Sequence, residues 1–339
     1  MNKNYILNEQ SLQILEKGIG ETVDAVKYSF GPKGRHVIIM DTNTSAIQIV
    51  RNGNEILNGL ELGEQYSNVV VKMINEILKN LVEKTADGSK TCIILANAMV
   101  KEAVRSIGTG INPNLLIKGM EKMVERCIEE LKQISMPIET EKELENIIIN
   151  TIDDIAIAKI ISKIDINKKV EIARVTEPVI YIESEDKEKV KIKLGDINDI
   201  EFKIRVQKIN KVIKMIKLNK INGYVIGGQS AYVKILSKMQ NNLHELEIDE
   251  RVGARLVLKA LEVPLKQLAY SSSLEGELIS QMVKMSDIDM GYDVNINKLV
   301  NMKEAGIIDF TSVLEQSLIS AVSIASKIVL TNAVILPIN

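Results

Sequence analysis

"DAVKYSFGPKGRHVIIMD", residues 24–41, carries one apolar helical pattern into a β-branched run through the turn "GPKG". Upstream, Leu12, Ile14, Leu15, Ile19, Val23 and Val26 recur at mostly three-to-four spacing, which predicts a helix over residues 9–30. Gly31, Pro32 and Gly34 stop it. Proline fixes φ and lacks an N–H, while glycine opens backbone conformations closed to other residues, so a tight turn follows. Beyond it, "HVIIMDTNTSAIQIV" (36–50) places β-branched runs on either side of "DTNTS", the pattern of a hairpin.

Outward from this stretch the chain reads as mainly α with small β-sheets. Residues 66–84 and 90–107 are apolar-rich helical patterns joined by "ADGSK". Another helix starts at Pro113, with Asn112 as N-cap and Leu116, Met120, Met123 and Cys127 on one face, and ends before Met136-Pro137. Between Val170 and Leu194 the sequence alternates around Pro178 and "SEDKEK", which predicts a three-stranded antiparallel sheet. Arg205–Lys220 reads as a helix with Ile209, Val212, Ile213 and Ile216 on one face. Further helices are expected over 229–239, 249–270 and 311–329, before a closing strand in "NAVILPI".

Composition narrows the function classes. The 339 residues are 45% hydrophobic, enough for a large core, and the net charge of −2 gives no general reason to bind nucleic acid or a membrane surface. Cys92 and Cys127 lie inside apolar helical patterns and read as reduced core residues. The N-terminal sequence lacks a secretory or transit pattern, so a cytoplasmic location is expected. Ser317–Leu336 is the most membrane-like stretch, but Lys327 near its centre and its hydroxyl residues fit a buried helix running into a strand. His36 and His244 stand far apart beside no cysteine cluster, which argues against a zinc site or a histidine triad.

The run 24–41 resembles the GroEL-type (group I, 60 kDa) chaperonins. The resemblance continues in order through "ADGSKTCIILANAMVKEAV" (86–104), "GINPNLLIKGMEKMV" (110–124), "GYVIGGQSAYVKI" (223–235), "KALEVPLKQLAY" (259–270) and "MGYDVNINKLVNMKEAGIIDFTSV" (290–313). It implies a helical equatorial domain built from both chain ends, here residues 1–136 and 222–339, and an intermediate-like domain over 137–221. In the family a large apical domain, which grips clients and the co-chaperonin lid, is inserted in the middle. The flanks of that insertion are recognisable as "LKQISMPI" (131–138) and "VKIKLGDINDIEFKIRVQKINKV" (190–212), with only about 50 residues between them. The apical domain is therefore expected to be missing, or reduced to the small sheet at about 170–194.

On chemistry alone, Asp87 before a helix is a candidate Mg²⁺ ligand, Gly88 admits close backbone approach, and Ser89 and Thr91 are candidate phosphate donors. The same "DGS" is also a common N-cap. The resemblance implies an ATP/ADP site with Mg²⁺ on Asp87, phosphate contacts from Ser89, Lys90 and Thr91, and the nucleotide enclosed by Ser29, Gly31, Pro32 and Gly228. It also puts Asp309 at the ribose and Asp293 near the base. Two family carboxylates that drive hydrolysis have no counterpart: Asn52 stands in one place and Lys211 in the other. Losing one such group slows a reaction by about 10² to 10⁴. Lys90 also replaces a hydroxyl residue. Two readings stand for these lysines: they neutralise phosphate charge that a metal or monovalent ion otherwise offsets, or they fill the pocket and pair with Asp87.

The expected function is thus a chaperonin-like protein forming ring-like homo-oligomers, with a degenerate ATPase site that hydrolyses ATP very slowly or not at all. One alternative is a passive holdase, or an accessory subunit of a full-length chaperonin. Another is an anionic-surface or nucleic-acid binder through the basic helix 205–220, although cations three apart sweep around a helix instead of forming one stripe. No membrane partner is expected.

Overall fold

The computed structural model describes residues 4–40, 47–152, 154–175, 180–185, 188–195 and 198–336. The "DTNTS" turn, Pro178 and the Pro337-Ile338 end of the last strand lie outside them. The elements run β1 (Asn4–Leu7), α1 (Asn8–Lys27), β2 (Val37–Met40), β3 (Ile47–Val50), α2 (Gly53–Asn58), α3 (Gln65–Thr85), α4 (Ser89–Gly108) and α5 (Pro113–Gln133). There follow α6 (Glu141–Ile152), α7 (Ile155–Ile161), β4 (Lys169–Val175), β5 (Ile180–Glu185), β6 (Lys189–Gly195) and α8 (Asp199–Asn219). The chain closes with β7 (Tyr224–Ile226), α9 (Ser230–Met239), α10 (Ile248–Leu261), α11 (Val263–Ser271), α12 (Gly276–Met285), β8 (Met290–Asp293), β9 (Lys298–Asn301), β10 (Ile308–Phe310), α13 (Thr311–Val329) and β11 (Ala333–Leu336).

Two apolar cores organise these elements. The larger is centred on α4, whose Cys92, Ile93, Leu95, Ala96 and Met99 are fully buried among α1, α3, α10, α11 and α13. Helices α5 and α10 cross at contact because Gly119 and Gly253 have no side chains. A Cβ on either would fall 1.8 Å from a carbonyl of the other helix, Glu250 or Leu116 respectively. Both cysteines are buried and unbridged, and burial pushes the Cys127 thiol up to about 12, so they behave as core residues. Over half of the apolar window of α13 is buried, so the one described helix long and apolar enough to cross a membrane packs as a core helix.

The smaller core joins α6, α7, the β4–β6 sheet and the inner face of α8, formed by Ile209, Val212, Met215 and Ile216. Ala86, Tyr224, Ile308 and Phe310 from the flanking elements also contribute to it. The chain enters this part at Met136 and leaves at Tyr224, and those two residues bridge, with Met136 N–H donating to the Tyr224 carbonyl at 2.8 Å and the reverse bond at 2.8 Å. Entry and exit thus lie side by side, as an inserted segment requires.

Three sequence expectations change. Strand order in the small sheet is β4-β6-β5, with β4 parallel to β6 and only β5 antiparallel to it, so the sheet is mixed. Alternation sets which face a side chain takes, but strand direction depends on which strands pair. The helix expected over 249–270 is two helices, broken at Glu262, because Pro264 in the first turn of α11 has no N–H for the preceding turn. Helix α1 stops at Lys27, where the Ser29 hydroxyl takes the Val26 carbonyl at 2.8 Å and Arg35 N–H donates to Tyr28 at 2.8 Å. Helices α6 and α7 and the β8–β9 hairpin had no assignment from sequence.

Candidate phosphate cradle

Two backbone turns face each other. In the first, Gly31 has φ +82°, and a Cβ there would lie 2.2 Å from Leu268. In the second, Ala86 (φ +60°) and Gly88 (φ +93°) carry the chain from α3 into α4. A Cβ on Gly88 would strike the Ser317 hydroxyl at 2.2 Å, so α13 packs directly against this turn. Gly88 itself occupies the N-cap of α4, and no side chain caps the helix. The capping reading of Asp87 therefore fails: its carboxylate points elsewhere. The first-turn N–H groups of α4 have no intrahelical partner, the usual state of a helix start and a natural place for an anion. Ser89 and Thr91 are 5% and 8% exposed, and neither side chain makes a hydrogen bond among the described residues.

Protein cations occupy this side of the cradle. Lys211 Nζ lies 3.0 Å from Asp87 Oδ1. Its position follows from Asn219, two turns further along α8, whose buried amide donates to the Thr85 carbonyl at 2.8 Å while Ser312 donates to its oxygen at 2.7 Å. That amide pins α8 to the ends of α3 and α13. Lys90 Nζ donates to the Ser29 carbonyl at 2.6 Å and the Arg51 carbonyl at 3.2 Å. Gly53 makes room for it, since a Cβ there would be 2.6 Å from the lysine stem. Burial brings Lys90 down to about 7, with Asp87 opposing that shift and Lys211 and Arg51 reinforcing it. Arg51 in turn donates through Nη2 to the carbonyls of Gly31 at 2.6 Å and Pro32 at 2.9 Å.

The other side holds an acid. Asp309 on β10 pairs with Val225 of β7, and the nearby Gly228 N–H favours the charged form of its carboxyl. It keeps some accessible surface although it is densely surrounded. Burial raises it to about 6, with the Asp87 charge adding and the Gly228 bond subtracting. The two acids are thus close enough to feel each other. Buried Gln229 Oε1 and Ser230 Oγ, immediately after Gly228, have no hydrogen-bond partner. Asp293 sits at the edge: it accepts from Asn295 N–H at 2.8 Å, and the neighbouring Tyr292 carbonyl is 3.8 Å from where a Gly228 Cβ would stand.

Of the residues picked from sequence, Ser29, Gly31, Pro32, Asp87, Lys90, Lys211, Gly228 and Asp309 are brought together by these contacts. Ser29 contributes its carbonyl, because its hydroxyl is turned to Val26. Asn52 is the N-cap of α2, its oxygen accepting from Asn54 N–H at 3.1 Å, a role an aspartate would fill equally well. Two participants went unnoticed. Arg51 is one; Glu55 is the other, a half-buried acid raised by burial and lowered by Lys211. The only sequence signal for Glu55 was its place three residues after an N-cap.

Helix α8 shows no single cationic face. Arg205 is turned to Glu201 at 3.2 Å and the Gly195 carbonyl at 3.3 Å, and Lys211 to Asp87. The donor set offers a divalent metal no cage of its own. Among the described residues no group of three or more His, Cys, Asp or Glu side chains converges. At an effective dielectric of 20, unit charges 4 Å apart interact by about 4 kcal/mol, so an ammonium beside a dication is repelled by roughly 8 kcal/mol. Asp87 attracts a dication by a similar amount, so with Lys211 paired to it the acid offers Mg²⁺ no net charge attraction.

The sequence pattern of the TCP-1/cpn60 chaperonin family matches residues 23–174 and 149–339, so the match spans nearly the whole chain and is split within the shortened middle. Members of that family generally form rings and depend on nucleotide and magnesium. Paired with a helical body and a middle reduced to α6, α7 and one small sheet, the match establishes that this chain belongs to the TCP-1/cpn60 chaperonin family.

Proposed function

We propose that the chain is a self-associating chaperonin base whose nucleotide site has lost its hydrolytic chemistry. On this reading residues 1–136 and 222–339 form the equatorial-like body, residues 137–221 form an intermediate-like unit, and the apical grip is absent. The observation that carries the hydrolytic part is the 3.0 Å pair between Lys211 and Asp87. A cation stands where hydrolysis needs a base, and the other carboxylate position holds Asn52, engaged as a helix cap. In-line attack on a terminal phosphate requires an oriented, polarised water, and neither group accepts a proton from one. Nucleotide binding is supported by the uncapped start of α4, the unpartnered Ser89 and Thr91, and the unpartnered polar atoms beside Gly228.

Assembly is supported by two small sheets. In the β2–β3 hairpin, Ile38 pairs with Ile49 and Met40 with Ile47, and all four side chains are more than half exposed on one face. In the β1–β11 pair, Tyr5 opposes Ile335, again exposed. Two-stranded sheets are marginal alone, and their open edges and apolar faces suit pairing with a neighbour. The family's ring habit makes a second copy of this chain the occupant.

Light scattering and electron microscopy of the purified protein, with and without ATP, test the proposal together with a phosphate-release assay. Expected are an oligomer at micromolar concentration and almost no phosphate release. A strict monomer overturns the assembly part, and turnover at ordinary chaperonin rates overturns the hydrolytic part.

A further inference from the structure

Three protein cations are committed to oxygens of the cradle itself. Arg51 holds the carbonyls of Gly31 and Pro32, Lys90 holds those of Ser29 and Arg51, and Lys211 holds the Asp87 carboxylate. The acid that would carry a metal is thereby neutralised, and the ammonium that neutralises it repels a dication. Beside these charges lie the free N–H groups of the first turn of α4 and the unpartnered hydroxyls of Ser89 and Thr91, both more than nine-tenths buried. That set suits a polyphosphate: positive charge on Arg51 and Lys211, a Lys90 that an arriving anion draws to its charged form, oriented donors, and carbonyls already satisfied so that they do not repel phosphate oxygens.

We infer that the cradle binds the triphosphate chain of a nucleotide as a metal-free anion, with Lys211 and Lys90 supplying the charge that a bound cation supplies elsewhere. The inference rests on the reading that this cradle holds nucleotide and adds that divalent metal is dispensable for it. Lys211 has a double part: it cancels Asp87 and presents its remaining N–H donors to the phosphates.

Calorimetric titration of the full chain with ATP, and separately with inorganic tripolyphosphate, in excess EDTA and in excess Mg²⁺ tests it. The expected dissociation constants agree within about threefold between the two conditions. In the Lys211→Asp variant, binding in EDTA should weaken by about tenfold or more and return with Mg²⁺, because a carboxylate pair then needs the dication. A melting curve like that of the unmodified chain confirms that the variant folds, and Lys211 is partly exposed, so the exchange disturbs no core packing. Heat that appears only with Mg²⁺ overturns the metal-free inference and leaves nucleotide binding standing. No heat in either condition, for either probe, overturns both, while light scattering still judges the assembly separately.

Discussion

The two sides of the cradle differ in kind. On the phosphate side, three basic residues have moved into the protein's own oxygens: Arg51 onto a turn, Lys90 between two carbonyls, Lys211 onto Asp87. On the opposite side, Asp309 keeps its place beside the Gly228 N–H and its strand pairing with β7. The contrast shows which constraint each side answers to. Asp309 lies within the β7–β10 pair that ties the two cores together and Gly228 in the turn just after β7, so their places are set by the fold around them. Asn52 and Lys211 lie at half-open positions where a change of charge costs little stability.

The sharpest way to break the contrast is to return acids to the phosphate side. The double variant Asn52→Asp, Lys211→Asp removes the ammonium from Asp87, leaves α2 with an equally good cap, and restores two carboxylates. Steady-state phosphate release with Mg²⁺ and ATP should rise by at least about 10², the low end of what one such group supplies. Unchanged release would overturn the assignment of the missing hydrolytic groups to these two positions.

A smaller effect separates the two sides from each other. Asp309→Asn should weaken ATP binding by about tenfold, the worth of one charge-assisted hydrogen bond, while tripolyphosphate binding stays as it was. Equal weakening for both ligands would show that Asp309 acts on the phosphate side through Asp87. Asn keeps an acceptor for the Gly228 N–H, so the strand pairing survives the change.

How much of this could be read from sequence follows the same division. The helical body was legible because its signals are local: three-to-four spacing in α1, apolar-rich runs in α3 and α4, Asn112 before Pro113, and the Gly31-Pro32 stop. Asp87 carried a weak signal of its own before a helix, but Gly228 and Asp309 were legible only through ordered motifs, since the three are far apart in the chain and no spacing rule brings them together. Lys211 was placed by alignment, yet the partner it chose is a tertiary fact set by Asn219 pinning α8. Arg51 and Glu55 were missed because each bears an ordinary local reading, a surface base and a first-turn acid. The direction of β4 was missed for another reason: alternation is blind to which strand lies next door.

Titration offers a quieter test of both sides at once. The folded-state value of Asp309 lies above its ordinary 3.8, at about 6, so the folded form holds the proton longer and stability falls as pH rises from 3.8 to 6. For Lys90 the folded value, about 7, lies below 10.5, so the unfolded form holds more protons between those values and stability rises across that window. Thermal melts from acid to alkaline pH should show both limbs. Asp309→Asn should flatten the first and Lys90→Met the second, each leaving the other limb intact. A flattened limb on the wrong side would mean that the two groups titrate as one coupled unit through Asp87.

The smallest expected effect concerns Glu55, the one acid that could still undercut the comparison. It is half-buried, its carboxyl is raised by burial, and Lys211 lies near enough to lower it. A raised carboxylate beside a phosphate site is the usual profile of a general base. Its geometry argues for a humbler part, because Glu55 is the first-turn acid of α2, where a negative charge stabilises the helix start. A structural acid of this sort changes stability by a few tenths of a kcal/mol to about 1 kcal/mol and leaves chemistry alone. Glu55→Gln should therefore alter residual phosphate release by less than about twofold, whereas a base would forfeit at least about 10². A drop of that size would identify Glu55 as a carboxylate recruited to the phosphate side, and the two sides of the cradle would then differ only in where their acids come from.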